Sequence, residues 1–281
     1  MSMKSVTELA YGKINLYLDV VGRRENGYHD IQSVMQHVSL HDTVTVVEAE
    51  QVTMTCSDPT LTCGEDNLCI RAARTFLAAY GKGGCGISLN KALPRQAGMG
   101  GGSADGAAVL RALNRLYGSP FTTAELCAMG ARFGADVPFC VQGRGAALAE
   151  GIGERLSPFP SLPPCHLVLV ESDHKVETPK AYALLDTIPS TERGDLGALA
   201  AAMQAGDLRA IGGSLYNRFE DAVPSSRAVI RRLLALGACG ARMTGSGATV
   251  FGLFIAGTVA ETACRALCDE GYIATTATPI P

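Results

Sequence analysis

The sequence of 281 residues predicts a two-domain α+β fold. Strand-like stretches are grouped and are followed by runs of helix-like stretches, which favours α+β over a doubly wound sheet in which the two alternate. Four prolines fall within residues 157–164 (S-P-F-P-S-L-P-P), which indicates a stiff connection. We therefore predict an N-terminal domain of residues 1–157 and a C-terminal domain of residues 165–281.

Local patterns in the first half predict several short strands and three helices. Residues 13–20 alternate polar and apolar side chains, which predicts a half-buried strand with Lys13 and Asn15 on one face. Further along, we predict a strand at residues 43–47, turns at 56–66, a helix over 67–80 ended by Gly81, and a strand at 86–91. A helix should then begin near Ser103 and end at Gly118, and a capping box at Thr122 and Glu125 should open a helix over 122–133.

The C-terminal half is predicted to contain more helix. A strand is expected at residues 166–170, followed by a helix-rich stretch to about residue 237. Strands around residue 242 and at 248–255 precede a helix over 258–269.

The composition excludes several classes of protein. Hydrophobic residues make up 47% of the chain, enough for a substantial core. The net charge of −3 argues against a polybasic nucleic-acid surface. Residues 1–10 lack the apolar stretch of a signal peptide, and no apolar run reaches the roughly 20 residues of a membrane helix. We expect a cytoplasmic monomer or homodimer with no nucleic-acid or membrane partner.

The ten cysteines do not form the pattern of a disulfide scaffold or a zinc site. They are spread from Cys56 to Cys268 without a C-x-x-C pair. Cys264 and Cys268 have metal-ligand spacing but no second pair near them. We interpret the cysteines as buried, reduced thiols.

The strongest chemical signal is the run G-M-G-G-G-S-A-D at residues 98–105, which leads directly into a helix. Glycines let successive backbone N–H groups point to one place, and a helix N-terminus adds about half a positive charge there. This pattern favours phosphate binding, with the Ser103 hydroxyl meeting a phosphate oxygen or Mg²⁺. The alternative is a flexible loop in which Ser103 is the helix N-cap. A literal G-x-G-x-x-G at 81–86 follows a helix and precedes a strand, so we interpret it as a turn.

Two charged residues are candidates for phosphoryl-transfer chemistry. Asp136 lies in the segment G-A-D-V-P-F and is either a catalytic carboxylate or the cap of a turn that Pro138 begins. Lys13 is either buried beside the phosphate loop or reaches solvent with only its stem covered. A buried Lys–Asp pair at such a loop would suit a kinase, with the carboxylate taking the hydroxyl proton.

Two further segments suggest substrate binding. The second glycine cluster, T-G-S-G-A-T at residues 244–249, is either another ligand-facing loop or a tight turn. The turn at residues 24–29 presents Tyr28 and His29, which can stack on a planar base and hydrogen-bond to it. The alternative for this turn is a solvated hairpin tip.

Taken in order, these segments resemble the GHMP kinase superfamily: K-I-N-L at 13–16, the glycine run within 94–108, and T-G-S-G-A at 244–248. The segments at 24–29, 65–68, 134–139 and 150–154 resemble, within it, the kinases that act on a cytidine-diphosphate-linked polyol in non-mevalonate isoprenoid synthesis. The resemblance implies a ribosomal S5 domain 2-like N-terminal domain that binds ATP and a ferredoxin-like C-terminal domain. It also implies ATP and Mg²⁺ as cofactors and a small-molecule substrate that is phosphorylated on its 2-hydroxyl.

The resemblance also implies residue roles. Asp136 matches the general base, and Lys13 matches the lysine that assists it. The ATP-binding positions are Asn67 and Leu68 on the adenine side and Pro94, Gly98, Gly100, Gly101, Gly102, Ser103 and Ala104 in the phosphate loop, with Ser103 also at the metal. The substrate-binding positions are Asn15, Tyr28, His29, Gly245 and Ser246.

Departures from the family pattern are few. Gly12, Met99 and Gly106 replace an alanine, a leucine and an alanine. The segment at residues 217–220 (N-R-F-E) matches the family's N-D-[LF]-E only in part and receives no role. The alternatives are a homoserine- or mevalonate-type kinase of the same superfamily, or a catalytically inactive metabolite sensor on the same fold.

Overall fold

The structure is a computed structural model that describes residues 4–171, 177–189 and 193–281. The chain forms two compact units, each assembled from separate stretches of sequence. Unit 1 comprises Met1–Gly12, Leu40–Arg95 and Gly100–Gly143, and unit 2 comprises Lys13–Ser39, Gln96–Met99 and Arg144–Pro281. Two long strands, β1 (Ser5–Arg23) and β2 (His29–Ala49), contribute residues to both units. The domain boundary predicted within residues 157–165 stays a prediction.

Unit 1 places helices against a small sheet. Its further elements are β3 (Thr53–Cys56), α1 (Leu68–Tyr80), β4 (Gly84–Asn90), α2 (Gly101–Leu116), α3 (Thr123–Ala131) and α4 (Val137–Gln142). β4 pairs antiparallel with β2 and parallel with β3. α1 packs on α2, and α2 packs on α4.

The helix ends of unit 1 follow the signals in the sequence. The Asn67 side chain accepts a hydrogen bond from Cys69 N at the start of α1, and Gly81 ends this helix in the left-handed conformation. Thr122 and Glu125 form the predicted capping box of α3. These contacts confirm the predicted helices at 67–80 and 122–133 to within a few residues.

Unit 2 contains a second, antiparallel sheet. Its further elements are β5 (Ala146–Gly151), β6 (Arg155–Phe159), β7 (His166–Glu171), α5 (Thr178–Leu185), α6 (Leu196–Ala205), α7 (Leu208–Ser214), β8 (Tyr216–Asn217), a 3₁₀ helix (Arg218–Asp221), α8 (Ser226–Ala235), β9 (Gly240–Met243), β10 (Val250–Phe254), α9 (Gly257–Asp269) and β11 (Ile273–Ala277). The sheet has the order β11-β7-β10-β9. α8 and α9 cover it, and their side chains Leu233 and Leu267 are fully buried with Val170 and Phe254 in one core. The predicted α+β class is confirmed.

Two sequence-based expectations are wrong in detail. β1 is not half-buried, because residues 12–19 are buried on both faces of the strand. The proline-rich stretch is not only a connection, since its first residues complete β6, where Pro158 pairs with Ala147 of β5. Proline is tolerated in β6 because the strand pairs on one side only, so no ladder hydrogen bond is lost on the other.

The cysteines are all free, but not all are buried. Cys69, Cys85, Cys140 and Cys165 are buried, whereas Cys63 and Cys268 are exposed. The interpretation as buried thiols is therefore wrong for those two. Within the described part of the chain, every helix is too short or too polar to span a membrane.

Candidate active site

The glycine run ends at the start of α2 in unit 1. Gly100 is the N-cap residue in the left-handed conformation (φ 69°), and no side chain caps the helix. Ser103 is the third residue of α2, so the alternative that makes it the N-cap is wrong. The first-turn N–H groups therefore lack a side-chain acceptor, which suits an anionic ligand. Ala104 differs, because it is buried and its N–H already donates to Gly100 O at 2.8 Å.

Three predicted segments of unit 1 meet at this helix start. A methyl group on Gly102 would lie 3.6 Å from Leu68 Cδ1, and one on Gly134 would lie 3.6 Å from Ser103 Oγ. The segment at Leu68, the glycine-rich start of α2 and the G-A-D-V-P segment are thus neighbours. Because Gly134 has no side chain, the Val137 side chain can pack against it; an added methyl would lie 2.8 Å from Val137 Cγ2.

Asp136 occupies the N-cap position of α4, but its side chain makes no capping hydrogen bond. It is half-buried. The interpretation of this carboxylate as a turn cap is therefore wrong. Asp136 lies two residues after Gly134, whose neighbour is Ser103.

A buried ionic cluster that the sequence did not predict joins α2 to the segment before Pro94. Lys91 Nζ donates to Asp42 and, at 2.9 Å, to Asp105 Oδ2 of α2. Asp42 Oδ1 also accepts from Ala92 N (2.6 Å) and Leu93 N (2.7 Å), so it fixes the backbone just before Pro94. Burial, followed by the nearby Asp42 carboxylate, raises the pKa of Asp105 to about 8. Near neutral pH the Asp105 carboxyl is therefore largely protonated, which reduces the cost of burying it.

In unit 2, Lys13 and Asn15 form a hydrogen-bonded pair. Lys13 Nζ donates to Asn15 Oδ1 at 2.7 Å, and both side chains are buried. Their location on one face of the strand is confirmed, and the alternative that Lys13 reaches solvent is wrong. Asn15 Oδ1 also accepts from Gly245 N at 2.9 Å, and Asn15 N donates to Thr244 Oγ1 at 3.0 Å.

The first residues of the glycine run contact the second glycine cluster in unit 2. A methyl group on Gly98 would lie 2.0 Å from Thr244 O, and Thr249 N donates to Ala97 O at 3.1 Å. Ser246 Oγ lies 3.0 Å from Thr178 Oγ1. The cluster does form a tight turn, closed by the hydrogen bond from Gly247 N to Thr244 O at 3.2 Å, and this turn is packed with Gly98 and Asn15.

The turn at residues 24–29 separates its two predicted ligand residues. Tyr28 is 59% exposed, as a solvated tip would be. His29 is largely buried: its Nε2 lies 2.8 Å from Asp186 Oδ1, and its ring stacks on Tyr182 with centroids 4.5 Å apart. Asp186 also pairs with Arg23 at 3.2 Å. Asp186 and Tyr182 had no signal in the sequence.

The N-R-F-E segment at residues 217–220 contacts the start of the second glycine cluster. The side chains of Asn217 and Glu220 hydrogen-bond to the backbone of residues 243–245. Among residues 4–171, 177–189 and 193–281, no group of three or more His, Cys, Asp or Glu side chains could hold a metal ion by itself. Such a group is not needed for Mg²⁺, which often binds through one or two protein oxygens and substrate phosphates.

Comparison with known proteins shows that this chain belongs to a class of phosphotransferases. The model of the GHMP kinases N terminal domain matches residues 67–144, and that of the GHMP kinases C terminal domain matches residues 187–273. The chain is a GHMP kinase. A relative from Acetivibrio thermocellus, named 4-diphosphocytidyl-2-C-methyl-D-erythritol kinase, is 38% identical over 90% of this chain and 91% of its own. Another of that name, from Symbiobacterium thermophilum, is 42% identical over 86% of this chain and 88% of its own. The chain therefore belongs to the 4-diphosphocytidyl-2-C-methyl-D-erythritol kinase family.

Solved structures support the same fold. A crystal structure of 4-(cytidine 5'-diphospho)-2C-methyl-D-erythritol kinase is 35% identical, with a TM-score of 0.83, and the match covers 98% of this chain and 100% of that one. Homoserine kinase from Cytophaga hutchinsonii has a TM-score of 0.77 at 19% identity, over 100% of this chain and 96% of its own. At that identity the second likeness shows the fold alone.

Proposed function

We propose that this enzyme transfers the γ-phosphoryl group of ATP to the 2-hydroxyl of 4-diphosphocytidyl-2-C-methyl-D-erythritol, in isoprenoid precursor synthesis by the non-mevalonate route. The observation that carries the choice of substrate is the 38% identity to a relative of that name over 91% of the relative's length. The glycine-rich, uncapped start of α2 supports a nucleoside triphosphate as the phosphoryl donor.

The chemistry is assigned to two residues. Asp136 accepts the proton of the 2-hydroxyl while the hydroxyl oxygen forms a bond to the γ-phosphorus, and the bond to the bridging oxygen of ADP breaks. Lys13 orients the hydroxyl and offsets negative charge. The Asn15 contact supports this role, since it restricts the lysine amine to one direction inside a buried environment.

The remaining predicted residues bind the two substrates. Backbone N–H groups at residues 98–103 hold the phosphates, and the Asn67–Leu68 segment lines the adenine side. Ser103 Oγ would hold Mg²⁺, which when bound neutralises phosphate charge. Tyr28 and His29 recognise the cytidine, and the exposure of the Tyr28 ring supports stacking on a base.

An assay of ADP release with three acceptors tests this function. We expect turnover with the diphosphocytidyl substrate and none with homoserine or mevalonate. Turnover with either of the latter would make this a different GHMP kinase, and no turnover with any of them would favour the sensor alternative.

Replacing Asp136 by asparagine tests the proposed base. We expect turnover to fall by roughly 10²–10⁴-fold, the range for a lost general base, with ATP binding and thermal stability retained. Asp269→Asn, the same change at an exposed position in α9, serves as the control and should have no effect. A turnover within about threefold of wild type for Asp136→Asn would contradict the assignment of the base.

A further inference from the structure

The N-R-F-E segment contacts the second glycine cluster through two side chains. Asn217 lies at the end of β8 and is 4% exposed. Its Nδ2 donates to Met243 O at 2.6 Å and to Gly245 O at 2.9 Å, while its Oδ1 accepts from Phe219 N at 2.9 Å. Every hydrogen-bonding group of the amide is therefore used within unit 2.

Glu220, in the 3₁₀ helix that follows Asn217, also hydrogen-bonds to the backbone of Met243. Its Oε1 accepts from Met243 N at 2.9 Å. Met243 is thus bonded at both its N–H and its C=O by two side chains of one short segment. A backbone held at two such points has little freedom to change direction at the following residue, Thr244.

The held loop in turn fixes Asn15. Gly245 donates its N–H to Asn15 Oδ1 at 2.9 Å, and its C=O is the acceptor for Asn217. The opposite side of the Asn15 amide is also restrained, because Nδ2 donates to Ser33 Oγ at 2.7 Å. Asn15 Oδ1 is the atom to which Lys13 Nζ donates.

From this continuous series of hydrogen bonds, we infer that Asn217 and Glu220 are positioning residues for Lys13, acting through Gly245 and Asn15. The inference rests on the proposed role of Lys13 in phosphoryl transfer. Neither residue needs to touch a substrate. Their effect is to set the direction of the Lys13 amine, and a displacement of about 1 Å at a reacting group can cost about 10²-fold in rate.

Asn217→Asp is the sharpest variant. Aspartate has the size of asparagine and keeps the acceptor for Phe219 N, but it loses both donors and turns a carboxylate oxygen toward two carbonyl oxygens. The matched control is Asn114→Asp in α2. Asn114 is also buried, and its Nδ2 likewise donates to a backbone carbonyl, that of Phe121, at 2.9 Å.

Amide hydrogen exchange is the first readout, and it does not require activity. In Asn217→Asp, exchange of the Gly245 N–H should accelerate by about tenfold or more, because the loop that presents it to Asn15 is released. In Asn114→Asp it should stay as in wild type. Unchanged Gly245 exchange in a folded Asn217→Asp protein would refute the inference, whatever the enzyme phosphorylates.

Steady-state kinetics are the second readout. Asn217→Asp should lower kcat by about tenfold or more and leave the KM for ATP within about twofold, whereas Asn114→Asp should change neither. In a Lys13→Met background, Asn217→Asp should cause almost no further loss, because residues that act as a unit are not additive. A loss of the same size in both backgrounds would show a general structural effect and overturn the inference.

A second variant covers the case in which Asn217→Asp does not fold. Glu220→Ala removes only the acceptor for Met243 N, and it should change Gly245 exchange and kcat in the same directions by smaller factors. Unaltered values of both in Glu220→Ala would also count against the inference. If wild type does not phosphorylate the diphosphocytidyl substrate, the proposed function fails, and the exchange measurement alone decides the role of Asn217 and Glu220.

Discussion

Replacing Gly98 by alanine tests the contact between the two glycine segments of unit 2. Gly98 has a left-handed backbone with φ 74°, and an added methyl would lie 2.0 Å from the Thr244 carbonyl oxygen. Gly206→Ala is the matched control, since Gly206 also belongs to unit 2 and has φ 66°, but a methyl there meets nothing within 4 Å. The two variants share the backbone penalty and differ only in the contact.

The expected cost follows from three contributions. A left-handed conformation costs an L residue about 1–2 kcal/mol. Displacing the Thr244 backbone adds about 1–3 kcal/mol, the usual range for overpacking. Alanine also reduces the conformational freedom of the unfolded chain, which stabilises the protein by about 0.4–1 kcal/mol. Taking the middle of each range, the free energy of unfolding should fall by about 3 kcal/mol for Gly98→Ala and by about 0.8 kcal/mol for Gly206→Ala.

Thermal unfolding followed by circular dichroism measures the difference. At about 2–4 °C per kcal/mol for a chain of this size, Gly98→Ala should lower Tm by about 6–12 °C and Gly206→Ala by about 2–3 °C. The KM for ATP should rise in Gly98→Ala alone, since the displaced segment leads into the phosphate loop. Equal Tm shifts in the two variants would refute the close approach of Gly98 to Thr244.

Three other predictions follow from the site. The pKa of Asp105, raised to about 8, means that the native chain keeps a proton that the unfolded chain releases near pH 4. The free energy of unfolding should therefore fall as pH rises from about 4 to 8. Asp105→Asn should make Tm depend less steeply on pH over this range. Equal slopes of Tm against pH in wild type and variant would argue against a protonated Asp105. Ser103→Ala should lower kcat/KM for ATP by about tenfold at unchanged Tm, because Ser103 does not cap α2, and a large Tm loss would indicate a structural role instead. Asp186→Ala removes the partner of His29. It should raise the KM for the diphosphocytidyl substrate by about tenfold and leave the KM for ATP unaltered. Equal rises in both KM values would show that His29 has no specific role in cytidine binding.

Sequence patterns predicted best where a single residue fixes the local backbone. Asn67 and Gly81 delimit α1, and the Thr122–Glu125 box opens α3, because capping depends on contacts within a few residues. Sequence patterns predicted the burial of strands less well, because neighbouring segments of the fold decide which strand faces are covered. The alternation at residues 13–20 indicated a solvent-facing side, yet that side is covered by the hydrogen-bonded loop at Thr244.

The ionic cluster and the His29 contacts had no local signal. Asp42 lies in β2, Lys91 directly after β4 and Asp105 in α2, so nothing near any one of them in sequence marks it as a partner of the others. Asp186 and His29 are also far apart, with a separation of 157 residues along the chain. The Asp42–Lys91 and Lys91–Asp105 pairs are decided by packing, because a buried charge must find a partner wherever the fold provides one.

By itself, the sequence determined the α+β class, the ends of α1 and α3, the glycine-rich helix start and the location of Lys13 and Asn15 on one strand face. These depend on backbone freedom and side-chain period, which act over a few residues. Only the tertiary structure decided that Gly245 and Asn15 share a hydrogen bond, that Asn217 and Glu220 hold the loop, and that His29 is covered by Asp186 and Tyr182. Those contacts join residues far apart in the chain, and burial leaves each polar group no alternative but the partner that folding brings to it.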